Sequence, residues 1–332
     1  MEASIMPKIA IIGAGLAGLS CARGLVSVGA PALDITIFDK SRGIGGRMAT
    51  RYAGAYEFDH GAQYFTAHSD RFGRFTDAQL AEGNISAWPT EIEKIGGAQA
   101  RETTRFVATP RMNSLCKALA EPLETVLKTR ITQVRRAESG WELQDEVGGE
   151  YGPFDVVVSA MPAPQMLALL PDAFVEHHTA LSAVRMAGCF SLMLGFEAGL
   201  AMPWEAARID GSPVGWIAVN SSKPGRQTGV SVLIQSSNDW AEAHMEDAPE
   251  MVQAVLLAEA SELAGVDLAG ADHTALHRWR YAATPQPLGA SFLFDRKAGL
   301  AACGDWCLGS KVESAFESGA QLADALLEEM SG

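Results

Sequence analysis

Lys8-Ile9-Ala10-Ile11-Ile12-Gly13-Ala14-Gly15-Leu16-Ala17-Gly18 decides the fold of this 332-residue chain. Lys8–Ile12 is a short apolar run suited to a buried strand. Gly13, Gly15 and Gly18 then fall at the G-x-G-x-x-G spacing. Leu16 to Val28 has helical composition, with Leu16, Leu19, Ala22, Arg23 and Val26 at helical spacing, and Leu33–Phe38 predicts a second strand. The first glycine permits a tight turn, the second lets backbone approach a pyrophosphate, and the third lets the helix pack close to the strand. The helix N-terminus offers unpaired N–H groups and the positive end of its dipole to phosphates. Asp39 follows at the interval of about 20 residues at which an acid binds ribose hydroxyls. A 2′-phosphate would be repelled there, which disfavours NADP. The whole unit predicts dinucleotide binding, and by itself does not separate NAD from FAD.

Working outward, Asp70–Gly83 reads as a helix with Phe72, Phe75 and Leu80 as its apolar stripe, and Pro110–Leu119 as another, with Pro110 in its first turn. Arg130–Arg136 and Gly140–Asp145 read as antiparallel strands, and Asp155–Ser159 as a buried strand ended by Ala160-Met161-Pro162-Ala163-Pro164. Cys189–Phe196, Val214–Val219 and Gly229–Ser236 predict a mixed or antiparallel sheet. A helix follows over Pro249–Ala264, with Val252, Val255, Leu256 and Leu263 inward. Phe292–Phe294 and Leu300–Cys303 are short strands, and Glu313–Met330 is an amphipathic helix.

Lys and Arg total 26 against 40 Asp and Glu, a net charge of −14. Such a surface repels phosphate backbones, so nucleic acid is not an expected partner, and an anionic small substrate needs a local positive cluster. Arg185, Arg208, Lys223 and Arg226 are candidates for that cluster; the alternative is solvated surface charge. Cys21, Cys116, Cys189, Cys303 and Cys307 are odd in number and scattered, which reads as buried small hydrophobes rather than a disulfide framework. The histidines show no metal-ligand spacing, so no metal is expected. No run approaches the roughly 18 apolar residues of a membrane span, and the chain reads as cytoplasmic.

Two further segments narrow the nucleotide: Gly43-Ile44-Gly45-Gly46-Arg47 just after the acid, and Gly304-Asp305-Trp306 between a strand and the last helix. With them the chain resembles the amine-oxidase-type flavoproteins, and within these the renalase-like subgroup. The closer match is carried by Phe38-Asp39-Lys40, Gly45–Thr50, Asp59–Thr66, Ser212–Trp216, Lys223–Arg226, Trp279–Ala282 and Cys303–Trp306, which together span nearly the whole chain. The resemblance implies non-covalent FAD, held by Gly13, Ala14, Gly15, Ala17, Gly18, Asp39, Lys40, Gly46, Arg47 and Met48. It further implies that Asp305, beside Gly304, accepts from a ribityl hydroxyl and that the N–H groups of Val312 and Glu313 face the flavin pyrimidine. Gly61, Ala62 and Gln63 would lie under the isoalloxazine, and Val134 would pair its backbone with adenine. The alternatives are a surface ion pair for Arg47 and a helix N-cap for Asp305.

The implied fold is α/β: an FAD/NAD(P)-binding Rossmann-type domain (1–68, 106–164, 296–332) interleaved with a smaller mixed-sheet α+β substrate domain (69–105, 165–295), the active site lying where they meet. The implied activity is oxidation of the 2- or 6-dihydro isomers of NAD(P)H by hydride transfer to flavin N5, with O2 reduced to hydrogen peroxide. Tyr64, Trp279, Tyr281 and Trp306 are the aromatics suited to sandwich a flat substrate; the alternative is ordinary core. No second G-x-G-x-x-G occurs, so reducing equivalents must come from whatever enters the substrate pocket. An amine oxidase or desaturase on the same fold, and an FAD-binding protein without turnover, remain open.

Overall fold

The computed structural model describes residues 6–27, 32–97, 103–170, 172–226 and 229–331. They form two compact units: residues up to Gly46, Cys116–Arg185 and from Thr284 on, and Arg47–Leu115 with Met186–Ala283. Each unit is built from discontinuous stretches. Residues 47–68 and 106–115 cluster with the second unit. There the Arg47 carbonyl accepts from Ala62 N–H, and Phe65 and Phe106 exchange backbone hydrogen bonds.

The first unit is organised by a six-stranded sheet. Its centre is β1 (Lys8–Ile12), paired in parallel with Val156–Ser159 on one side and with β2 (Asp34–Asp39) on the other. Glu124–Leu127 extends the sheet beyond β2, and Leu300–Ala302 extends it beyond Val156–Ser159, both in parallel; Leu293–Asp295 closes that edge antiparallel. Ile9, Ala10 and Ile11 are wholly inaccessible, the reason the strand reads as an unbroken apolar run. Helix α1 (Leu16–Leu25) packs on the final helix, Val312–Ser331. Gly319 lies against the backbone of Ala17, and Gly24 against the side chain of Ala323, so the two helices meet at backbone distance. Leu19 and Leu25 of α1 and Leu322 and Leu326 of the final helix have no solvent exposure, each contributing about 1.5–3 kcal/mol by burial. A separate antiparallel sheet runs Ile131–Ala137, Gly140–Asp145, Glu150–Phe154.

The second unit has its own six-stranded sheet, in the order His273–Gln286, Arg185–Phe196, Val230–Ser236, Val214–Val219, Ala206–Ile209, Ile92–Ile95. From Arg185–Phe196 on, neighbouring strands pair antiparallel except the last two, which are parallel. One face carries the in-register row Leu192, Ile234, Ile217 and Ala207, and receives Val252, Leu256 and Ala260 of the helix Pro249–Ala264. Gly265, in the left-handed conformation at φ 63°, ends that helix.

The nucleotide strand–helix–strand unit, the strands Val214–Val219 and Gly140–Asp145 and the helix Pro249–Ala264 stand where the sequence puts them, and the α/β class is as read. Several details differ. α1 stops at Leu25, and Val28 lies outside the described residues. Arg23 and Val26 face solvent, and Cys21 and Leu25 supply the buried face instead. In the helix Asp70–Ala81, Phe72 is buried but Leu80 is exposed, its inward places taken by Thr76 and Gln79. The helix expected from Pro110 begins only at Ser114. Val255 is exposed: the buried stripe repeats at Val252, Leu256, Ala260 and Ala264, four residues apart, and leaves Val255 on its flank. Several strands were not foreseen, among them Ile92–Ile95 and the 14-residue His273–Gln286. The first is too short to show a period, and the second is half-buried along most of its length, polar and apolar residues alike, so it shows no alternating apolar face.

Candidate functional site

In the first unit the parallel strands end side by side, and the glycine-rich turns begin at those ends. Gly13 follows β1, Ala160 follows Val156–Ser159, and Cys303-Gly304 follows Leu300–Ala302. Ala160 N–H donates to Ile12 O at 2.9 Å and Cys303 N–H to Ser159 O at 3.0 Å, so turns some 290 residues apart in sequence are neighbours at one sheet end. Gly13 has φ 121°, and a Cβ there would press on the Ala160 carbonyl. A Cβ on Gly18 would meet the Gly13 carbonyl and Ile11, so the third glycine is needed to seat α1 on β1. No side chain caps α1 at Gly15, and no acid stands in its first turn. Its first-turn N–H groups are therefore left without a side-chain cap.

Asp39 terminates β2 and is half-buried. One carboxylate oxygen accepts from Ala14 N–H at 2.8 Å, the other from Ser41 N–H at 2.7 Å. Each oxygen keeps a lone pair for a hydroxyl. Gly45 N–H donates to Ala14 O at 3.0 Å, and Gly46 (φ 54°) stands against Gly15, where a Cβ would crowd the Gly15 Cα. The Gly43–Gly46 loop is thus laid along the first glycine turn. Thr129 N–H donates to Asp39 O, which ties the start of Ile131–Ala137, and Val134 within it, to the same end; that strand is an edge of its sheet. Asp305 is 5% exposed, its backbone carbonyl accepting from Leu308 and Gly309 N–H, while Gly304 N–H donates to Ser318 Oγ of the last helix. Val312 and Glu313 open that helix. Lys40 is exposed, its Nζ 3.4 Å from Gln165.

In the second unit, the sheet face opposite the helix Pro249–Ala264 carries a different row. Ser191, Gln235, Trp216, Arg208 and Lys94 are consecutive in-register partners and therefore share that face. The segment His60–Tyr64 lies over it: Ser191 Oγ donates to His60 O at 2.7 Å, Gln235 Nε2 donates to Gly61 O at 2.8 Å, and Arg208 Nη2 meets Tyr64 Oη at 3.1 Å. Trp279 Nε1 donates to His60 O at 2.8 Å, and its ring stacks on the His60 imidazole at 5.1 Å. Burial first, then His277 and Arg51, push His60 down to about 4; burial and Arg51 do the same to His277. Both imidazoles are neutral at pH 7. Tyr281 is half-buried on the Trp279 strand. Arg47 is half-buried, its Nη1 3.4 Å from Ala282 O, and Met48 is buried.

Beneath this segment is an ionic cluster. Asp59 holds Arg226 at 2.6 Å and Lys223 at 3.6 Å, all three side chains at most 1% exposed. Thr50 Oγ1 and Met112 N–H donate to the other Asp59 oxygen. Lys223 Nζ also donates to Gln63 Oε1 and Asn220 Oδ1, both at 3.1 Å, and Gln63 Nε2 donates to Gly61 O at 2.9 Å. Burial alone would raise Asp59; Lys223 and Arg226 more than offset it and hold the carboxyl below its ordinary value. Burial pulls Lys223 down to about 8.

A model of the flavin-containing amine oxidoreductases matches residues 71–327, and one of NAD(P)-binding Rossmann-like domains matches residues 11–78. The chain belongs to the flavin-containing amine oxidoreductase family. Among known members it is 28% identical to renalase of Mus musculus over 295 residues, 83% of this chain and 85% of the mouse protein. Two solved structures share the fold. One is an Exiguobacterium sp. 255-15 protein with a provisional protoporphyrinogen oxidase assignment, with TM-score 0.77 and 14% identity over 99% of this chain and 100% of that one. The other is a putrescine oxidase redesigned in its cofactor binding, with TM-score 0.70 and 12% identity over 97% and 100%.

As a member of that family the chain is a flavin-dependent oxidoreductase, and the first unit fits such a nucleotide. Its glycine turns leave a cradle that any Cβ would fill, the α1 N-terminus is uncapped, and Asp39 has acceptor capacity to spare. Gly13, Ala14, Gly15, Ala17, Gly18, Asp39 and Gly46 come together at one end of the sheet, with Gly304 and Asp305 at the same end. Trp306 does not fit its proposed place against a substrate: it has no exposure, and its indole N–H donates to Met161 O at 3.0 Å, which makes it core. Lys223 and Arg226 are not surface charges but the buried partners of Asp59. Sequence reasoning missed Asp59, Thr50 and Asn220 as a network, because a buried acid and its cations 160 residues on leave no periodic signal. The five cysteines are buried and none is in a disulfide, and among the described residues no helix is long and apolar enough to cross a membrane.

Proposed function

We propose that the chain is an FAD-dependent oxidase, with FAD held non-covalently, that oxidises the 2- and 6-dihydro isomers of NAD(P)H. The observation that carries the FAD half is the meeting of the Asp39–Ala14 turn and the Gly304-Asp305 turn at one end of a parallel sheet. That spacing gives an acid for a ribose at one place and an acid for a polyol chain at another, with an uncapped helix end for phosphates. FAD bound there would supply the redox chemistry by which dihydronucleotide, O2 and a proton become oxidised nucleotide and hydrogen peroxide.

The donor class rests on the likeness to renalase-like proteins and on the second unit. A dihydronicotinamide ring is already a hydride donor and needs no general base. The groups beneath the His60–Tyr64 segment suit that requirement: Lys223 is committed to Asp59, Gln63 and Asn220, and works as a support. Tyr64, Trp279 and Tyr281 are half-buried aromatics of the kind that receive a flat ring. Buried thiols outside any disulfide accord with a reducing compartment, the cytoplasm.

Anaerobic mixing of the holoprotein with each dihydro isomer tests the reading. Rapid bleaching of the flavin by these, and return of colour with stoichiometric peroxide on admitting O2, is the expected result. Bleaching by simple amines alone would turn the assignment to amine oxidation; a flavin that stays yellow with every donor would leave a binding protein.

A further inference from the structure

We propose that the second unit carries an anion subsite, centred on Arg208 with Lys94 and Tyr64, that takes the phosphate groups of the donor; this rests on the nucleotide reading above. Of the four cations the sequence offers for an anionic substrate, the structure removes Lys223 and Arg226, which are buried on Asp59. Arg208 stands differently. It is exposed, it crosses the Trp216 ring at 5.9 Å, and its Nη2 meets Tyr64 Oη.

Lys94, also exposed, is its in-register partner on the parallel edge strand Ile92–Ile95. Like charges directly opposite across a strand pair repel and weaken the pairing. Among the described residues neither Lys94 nor Arg208 belongs to an ion pair, although acids outnumber bases by 14 over the chain. A pair of adjacent cations left uncompensated on an acidic protein is the arrangement that a bound dianion relieves. A third cation, Arg105, crosses the Tyr64 ring at 5.7 Å. The ring that Arg208 crosses adds a donor without an acceptor: the indole N–H of Trp216 is buried with no partner in the protein. Such donors cost stability unless something accepts from them. Arg208, rather than a lysine, also suits phosphate because its planar fork can bind two oxygens at once.

The test uses the FAD-loaded protein, so that the cofactor's own phosphate site is filled. Inorganic pyrophosphate is titrated calorimetrically into wild type, R208Q and K94Q. Anaerobic bleaching is then measured with 6-dihydro-NAD and with its phosphate-free N-methyl-dihydronicotinamide counterpart. Pyrophosphate is expected to bind wild type and to bind R208Q about tenfold or more weakly, the loss of a charge-assisted contact. The ratio of kcat/KM for the phosphate-bearing over the phosphate-free donor is expected to fall by a similar factor, with K94Q showing the same sign. Absence of pyrophosphate binding to wild type, or equal binding by both variants, overturns the subsite. Pyrophosphate binding with no bleaching by either donor would support the subsite and sink the dihydronucleotide reading instead. K94Q lies on an exposed edge strand and keeps the test decisive should R208Q lose its fold.

Discussion

Arg226 closes on Asp59 through two nitrogens, Nη2 at 2.6 Å and Nε at 3.2 Å, both on the same carboxylate oxygen and with both side chains 1% exposed. With Lys223 added, two buried cations lean on one buried anion. Removing the acid leaves both without compensation, the costly way to break such a cluster. Asp59→Asn is therefore expected to destabilise the fold by about 3–5 kcal/mol, measured as a lowered denaturation midpoint in urea. The Asp59 carboxyl is held below its ordinary value, so its contribution is present above roughly pH 4 and fades as the pH falls through the folded value.

Lys223 gives a slope of the opposite origin. Its folded value of about 8 lies below the 10.5 of a free lysine. Between these two values the unfolded chain binds the extra proton, so this group makes stability rise with pH across that window. Lys223→Met is expected to flatten that rise in denaturation curves taken from pH 8 to 10.5. An unchanged slope would show that Lys223 is not the group responsible.

His60 and His277 act lower on the scale. Both fall from 6.5 to about 4, so the unfolded chain binds more protons between pH 4 and 6.5 and stability climbs with pH through that range. Replacing both by Gln is expected to reduce the acid sensitivity. Imidazole proton resonances that titrate near 6.5 in the wild type would contradict the burial argument.

Asp39 fixes the nucleotide turn through Ala14 and Ser41 while keeping acceptor capacity free. Asp39→Ala is expected to weaken FAD retention by about tenfold or more, through loss of a charged hydrogen-bond partner. Equilibrium dialysis followed by the absorption spectrum reads this directly. Retention equal to wild type would remove Asp39 from the cofactor site.

Gly319 is the close-approach point between α1 and the last helix. Gly319→Val has no room for its Cβ beside the Ala17 backbone and is expected to cost about 1–3 kcal/mol or more, seen as a lower melting temperature. Gly43→Ala, with open space around it, is the matched control.

What the sequence determined by itself is local. An apolar run, three spaced glycines and an acid specify a strand, a turn and a helix of the kind that opens a dinucleotide-binding fold, because each constraint acts within about 30 residues. The helix Pro249–Ala264 was legible for the same reason, its period lying in one window, although Val255 proved to lie outside the buried stripe. The Gly304-Asp305 turn and the Gly61–Gln63 segment became legible only through resemblance. The tertiary structure alone decided which charges are spent. Lys223, Arg226 and Arg208 look alike as letters; the loop after Val214–Val219 carries the first two to Asp59, and sheet register leaves the third facing outward beside Lys94. It likewise made Trp306 core and Trp279 half-buried. Burial depends on partners far along the chain, and a one-dimensional pattern carries no record of who those partners are.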